Sequence, residues 1–246
     1  MSSIRAVLFD IGGVVVGSPI VGISRFERKL KLPVNYLNAL VTAHGREGAF
    51  QRLERGELAM ADFLPLFGQQ MSDVELGNQA YRVYLKRSGR DCPDLPTSLQ
   101  IDGADLWGEM MAEVHNVDQI IVHAIERLRA RGLVVAALTN NWAAAEDEAA
   151  PDARMLREMF DHYIESSVVG LRKPDPAIFQ HTLDLLGVKG SETAFLDDIG
   201  LNLKSAATLG IRGVRVLPGK SEAAVRELEQ LVGFPLRGDD GRDAKL

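Results

Sequence analysis

The ordered part of the pattern opens with Ile4-Arg5-Ala6-Val7-Leu8-Phe9-Asp10-Ile11-Gly12-Gly13-Val14-Val15-Val16-Gly17. The short apolar run from Ile4 to Phe9 reads as a buried strand of a parallel sheet. Gly12, Gly13 and Gly17 then supply a glycine-rich turn. Asp10 falls at the strand's carboxyl end, and open parallel α/β sheets bind their ligands just beyond those ends. This placement predicts a fold and also where to look for chemistry.

After Gly17 the pattern becomes helical. Ser18 and Pro19 suit an N-cap and a first helical residue. The helical period persists to about residue 87, with breaks near Pro33, Gly45, Gly56 and Ser72, which predicts four or five helices and no strand. Residues 88–104 mix Pro93 and Pro96 with Gly89, Asp91, Asp94, Asp102 and Gly103, and read as a linker. Beyond them helix and strand alternate. Helices are predicted over 117–131, 152–160, 176–186, 203–209 and 222–232, and strands over 133–138, 163–167, 193–196 and 213–216. Such alternation is the signature of a doubly wound parallel sheet. The expected organisation is an α/β core from 1–16 and 105–236, a helical insertion over 17–87, a linker over 88–104 and a polar tail over 237–246.

The totals exclude several classes. The chain has 246 residues, 46% of them hydrophobic, enough for a substantial core. A formal charge of -6 argues against a nucleic-acid binder, which needs a basic face. The single cysteine, Cys92, excludes a disulfide framework and points to a reducing compartment. No histidine lies near Cys92 in sequence to activate it. The start of the chain leads straight into a short strand rather than a signal region, and no stretch approaches a membrane span, so a cytoplasmic protein is expected. The closing Ala244-Lys245-Leu246 resembles the Ser-Lys-Leu peroxisomal address, which keeps that compartment as an alternative.

Polar residues just after the predicted strands form four groups: Asp10, Thr139-Asn140-Asn141, Lys173 and Asp197-Asp198. Singly, each has a plain structural explanation as a helix cap, a turn residue or a solvated charge. Asp175-Pro176 is such a case, an N-cap followed by a first helical proline. Together the four groups fit one mechanism. A carboxylate can attack phosphorus once the like charges of nucleophile and phosphate are neutralised. Asp10 and Asp198 offer hard oxygen ligands suited to Mg²⁺. Lys173 can balance the remaining charge, and the hydroxyl and amides around Thr139 and Asn140 can bind phosphate oxygens.

Phe9-Asp10-Ile11-Gly12-Gly13-Val14-Val15, Leu138-Thr139-Asn140, Lys173-Pro174-Asp175-Pro176 and Leu196-Asp197-Asp198-Ile199-Gly200-Leu201-Asn202 resemble, in order, the four motifs of the haloacid dehalogenase superfamily. Phe50-Gln51-Arg52-Leu53-Glu54-Arg55-Gly56-Glu57 resembles cap sequence of the subgroup similar to the N-terminal phosphatase domain of soluble epoxide hydrolase. The resemblance implies a Rossmann-like core with a helical cap and a magnesium-dependent hydrolase acting on a phosphorylated small molecule. It makes Asp10 the nucleophile and a metal ligand, Thr139 and Asn140 phosphate binders, Lys173 the neutralising cation and Asp198 a metal ligand. Asp197 and Asn202 would support the metal shell, and the Gly12 carbonyl would serve the metal.

The family's phosphatases usually carry a second aspartate two residues after the nucleophile, as general acid and base; this chain has Gly12 there. Such help is worth about 10² to 10⁴ in rate. Three explanations stay open: a substrate with a good leaving group, a proton carrier from the cap or a water, or loss of turnover. His44 is the histidine of the predicted cap to watch as a carrier. Arg46, Arg52 and Arg55 are candidate contacts for an anionic substrate, but Glu47, Glu54 and Glu57 interleave with them as on a solvated face. Two other readings stand beside the phosphatase: a metal-independent dehalogenase, and a catalytically silent interaction protein.

Overall fold

The computed structural model describes residues 3–142 and 151–237. Its centre is a five-stranded parallel sheet in the order β3-β2-β1-β4-β5, with β1 Ala6–Phe9, β2 Val134–Thr139, β3 His162–Glu165, β4 Thr193–Asp197 and β5 Arg212–Arg215. The register pairs Ala6 with both Val134 and Thr193, so the first strand lies in the middle. The strand order reverses across β1, and such a switch point opens a crevice at the strands' carboxyl ends.

Both faces of the sheet are covered, which is why its central strand β1 is apolar throughout and β2 is apolar up to Thr139, while β3 and β5 at the edges carry charged residues. Val7, Phe9, Val135, Ala137, Ala194 and Leu196 point to one face and pack on helices α7 Gln119–Ala130 and α12 Ser221–Val232. Leu8, Ala136, Leu138 and Phe195 point to the other and pack on α10 Pro176–Leu186 and α11 Gly200–Ala207. The alternation along each strand is the period-two geometry of a pleated backbone. Helix α8 spans Pro151–Glu158, and a single turn, α9, spans Ser166–Val169 directly after β3.

Between β1 and β2 the chain leaves the sheet and builds a second apolar cluster from helices alone. These are α1 Pro19–Lys29, α2 Tyr36–Ala43, α3 Ala49–Glu54, α4 Met60–Met71, α5 Val74–Arg87 and α6 Gly103–Met111. Tyr36, Leu37, Leu40, Leu53, Phe63, Phe67, Leu106 and Met110 are buried together here. Helix α6, absent from the sequence reading, packs on α1 and α4. Part of the segment read as a linker joins the same cluster, Ile101 fully and Leu95 and Leu99 partly buried. The expected break between α4 and α5 is a true helix end, with Asp73 accepting from the Leu76 amide at 3.0 Å.

Among the described residues no helix is long and apolar enough to cross a membrane. Cys92 is exposed. The Ala244-Lys245-Leu246 reading lies outside the described residues.

Candidate active site

The carboxyl ends of β1 and β4 place Asp10 and Asp197 side by side, and the loop before α10 drops Lys173 between them. Its Nζ lies 2.8 Å from Asp10 Oδ1 and 2.9 Å from Asp197 Oδ2, and the side chain is only 1% exposed. A buried ammonium is costly unless paired, and here it has two partners. Burial pulls Lys173 down, but Asp10 and Asp197 more than offset this and hold it above its ordinary range. Burial acts the other way on Asp10 and pushes its carboxyl up, against the attraction of Lys173.

The two carboxylates at the end of β4 have different surroundings. Asp197 is saturated: besides Lys173 it accepts from the Ile199 amide at 2.7 Å and, through both oxygens, from Asn202 Nδ2 at 3.0 Å. Asp198 is not. Its Oδ2 accepts from Ser18 Oγ at 3.1 Å, while its Oδ1 is buried with no partner. Burial and the neighbouring Asp197 push it up to about 6. Gly13 makes this approach feasible: at φ +86° it adopts a conformation that favours glycine, and a Cβ there would lie 2.2 Å from Asp198 Oδ2.

Oxygens of Asp10, Asp197 and Asp198 lie within 4.8 Å of one another. Three clustered carboxylates with a buried, unpartnered oxygen on Asp198 match the all-oxygen preference of Mg²⁺. Asp197 has both oxygens engaged in hydrogen bonds, whereas Asp198 keeps one without a partner.

On the β2 side, Thr139 is buried and its hydroxyl makes one long contact, 3.4 Å to the Asn140 carbonyl. The Asn140 side chain is committed elsewhere: Oδ1 accepts from the Lys173 amide at 2.9 Å and Nδ2 donates to the Lys173 carbonyl at 3.0 Å. It therefore holds the lysine loop, and what Asn140 retains for a ligand is its backbone N–H. Asn141 braces α9 by accepting from Ser167 Oγ at 2.9 Å.

Several residues at the site were not legible as such. Ser18, read as an N-cap, makes no capping bond and donates to Asp198 across the fold. Arg55 and Glu54 were read with a solvated face, yet both are buried. Arg55 is held by Glu57 and the Arg46 carbonyl, and Glu54 accepts from Arg172 Nε at 2.7 Å. Burial pushes Glu54 up, while Arg172, Lys173 and the Asn140 amide favour its charged form. His44 faces the Gln70 carbonyl at 3.2 Å, within the helical cluster.

Among the described residues, three contacts between the helical layer and the sheet's loops lie near the site. Glu54 meets Arg172; Gly56, at φ +71°, approaches α9 so closely that a Cβ would lie 2.5 Å from the Ser167 carbonyl; and Trp107 of α6 meets Trp142, two residues after Asn140, edge-on at 4.6 Å between ring centres. Sheet, carboxylates and inserted helices together define a hydrolase with a Rossmann-like core. The chain belongs to the haloacid dehalogenase-like hydrolases, whose family model matches residues 4–210. Acyl-CoA dehydrogenase family member 10 of Mus musculus is 36% identical over 95% of this chain, and bifunctional epoxide hydrolase 2 of the same species 31% over 95%. This chain spans 20% and 40% of the length of those two relatives. Sesquiterpene phosphatase astK of Aspergillus oryzae is 26% identical, covering 94% of this chain and 98% of its own length. Among solved structures, a family enzyme from Bacteroides thetaiotaomicron in complex with magnesium and inorganic phosphate superposes with a TM-score of 0.55 at 18% identity, covering 89% of this chain and 96% of that one. The resemblance read from the four motifs and the cap sequence is thereby borne out.

Proposed function

We propose that this chain is a Mg²⁺-dependent phosphatase of a small molecule, working through an aspartyl-phosphate on Asp10. The observation that carries the reading is the division of labour between the two aspartates at the end of β4: Asp197 anchors Lys173, and Asp198, clustered with Asp10, keeps a buried oxygen without a hydrogen-bond partner. Asp10 and Asp198, with the Gly12 carbonyl, would hold the cation, which when bound supplies positive charge against the phosphate.

Within that frame the chain's own groups act as follows. Lys173 and the Ile11 amide, at 2.8 and 2.7 Å, pin Asp10 Oδ1 and leave Oδ2 without a hydrogen bond among the described residues. Oδ2 is the oxygen free to attack phosphorus, forming the acyl phosphate as the P–O bond to the leaving group breaks. The Thr139 hydroxyl and the Asn140 N–H bind the equatorial oxygens, as preorganised donors do where charge develops. Asn202 acts at one remove, fixing Asp197. Water then attacks phosphorus, the P–O bond to Asp10 breaks, and the step releases inorganic phosphate and returns Asp10 as a carboxylate.

Position 12 bears on the substrate. With no carboxyl there to protonate the leaving oxygen, acyl phosphates, anhydrides and sugar 1-phosphates suffer less than alkyl esters. The sesquiterpene phosphatase relative supports a phosphorylated small molecule as the substrate class.

The test is phosphate release from a panel of these compounds, with Mg²⁺ or a chelator, for the native chain and Asp10→Asn. Turnover requiring both metal and Asp10 is expected. Halide release from haloacids without metal would replace this reading by the dehalogenase, and metal binding with no turnover on any compound would replace it by the silent protein.

A further inference from the structure

The contact between Glu54 and Arg172 stands out among buried charges because neither partner belongs to the catalytic set, yet both lie against it. Glu54 ends α3, in the helical layer; Arg172 precedes Lys173 in the sheet's loop. Glu54 has a side chain 8% exposed and Arg172 22%, so the pair is shielded from water. Breaking a buried pair by removing one partner leaves an uncompensated charge, so such a contact resists partial loss. Two further joints flank it. Gly56 sits against the Ser167 carbonyl, and Trp142, just past the loop whose Asn140 clasps the Lys173 backbone, rests on Trp107.

Two residues that hold the Lys173 main chain, Arg172 and Asn140, are therefore linked to the helical layer. Arg172 is its neighbour in sequence and answers to Glu54. Asn140 binds its amide and its carbonyl, and lies two residues from Trp142. When the helices withdraw, Arg172 loses its carboxylate and Trp142 its partner together.

We infer that Glu54 is a positioning residue that couples closure of the helical layer to the placement of Lys173 between Asp10 and Asp197. This rests in part on the phosphatase reading, since it assigns Lys173 a task at the reacting phosphate. The coupling itself is independent of turnover. Its physical content is a two-state element, closed with Glu54 on Arg172 or open without it, which the catalytic loop senses directly.

The chain offers its own reporter, since its only two tryptophans are the pair Trp107 and Trp142 across this junction. Edge-on indoles at that distance couple optically and give a circular dichroism signal that vanishes when they separate. The experiment compares the native chain with Glu54→Gln, Arg172→Gln and the double variant, following tryptophan dichroism without ligand and steady-state phosphate release with Mg²⁺. Each single variant is expected to lose most of the indole signal. Each should also lower kcat roughly tenfold to a hundredfold, the cost of a catalytic group displaced by about an ångström. The double variant should match the singles, because both break one link.

An unchanged indole signal, or losses in kcat that multiply in the double variant, would overturn the inference. Arg172→Gln guards against misfolding of Glu54→Gln, because it probes the link from the sheet side. Should the native chain release no phosphate, the phosphatase reading falls. The latch is then judged on the indole signal alone: loss in both single variants upholds it, and retention overturns it.

Discussion

Glycine at position 12 has a neighbour that fits it. A Cβ there would lie 3.2 Å from Pro19 Cδ and 3.7 Å from its Cγ, tight but not prohibitive, and the backbone needs no positive φ. Pro19 opens α1, so a larger residue at 12 presses on the helix that begins the insertion. Gly12→Asp should nonetheless be tolerated with a shift of a few tenths of an ångström at Pro19. Hydrolysis of alkyl phosphates should then rise by about 10² or more, while acyl phosphates gain little, as the worth of a general acid depends on the leaving group. Steady-state rates on one compound of each kind decide this; equal gains on both, or none, would remove position 12 from the account of selectivity. Asp10, Thr139 and the Asp197-Asp198 pair were legible as candidates because each closes or follows a strand, and Lys173 because it sits in the Lys-Pro-Asp-Pro segment before α10. Ser18 and Glu54 were not, because their partners lie 180 and 118 positions away and no local pattern announces a contact of that span.

Elements were legible where their hydrophobic period was long. The breaks at Pro33, Gly45, Gly56 and Ser72 separate the observed α1 to α5, and all five strands overlap the segments read as strands. Helix α6 was missed because it follows a run of prolines, glycines and aspartates and buries few positions, Leu106 and Met110 among them; its clearest signal is Asp102, which accepts from the Ala104 amide at 2.7 Å. The turn α9 is too short for any period, and α11 starts at Gly200 because Asp197 holds the Ile199 amide just before it. The start of α2 shows another device invisible to local reading. Asn35 holds the N-cap position at φ 69° without a capping side-chain bond. Instead Glu27 of α1, 1% exposed, accepts from the Asn35 amide at 2.9 Å and the Leu37 amide at 2.8 Å. Glu27→Ala should cost about 2 to 4 kcal/mol, because two shielded donors lose their acceptor. Urea unfolding measures it; a change below about 1 kcal/mol would mean that water reaches those amides.

For the molecule as a whole, the alternation of helix and strand made the sheet class legible, whereas the strand order depends on crossovers that no residue encodes alone. The helical insertion was legible as a block. Its return path was not, since residues read as a linker contribute Ile101 to the helical core. The central position of β1 has a consequence in time. Ala6 finds its two partners at Val134 and Thr193, so closing those loops must await most of the chain, whereas the contacts of α2 with α5 and of α3 with α4 close over much shorter stretches of sequence. During refolding the helical cluster should assemble first and the sheet close around β1 afterwards. Pulse-labelled hydrogen exchange should show α2–α5 amides protected before those of β1 and β4, and simultaneous protection would argue for a single cooperative nucleus. In that order of events Asp10, near the front of the sequence, is among the last residues to reach its final surroundings, so the candidate site around it is complete only once nearly everything else has folded.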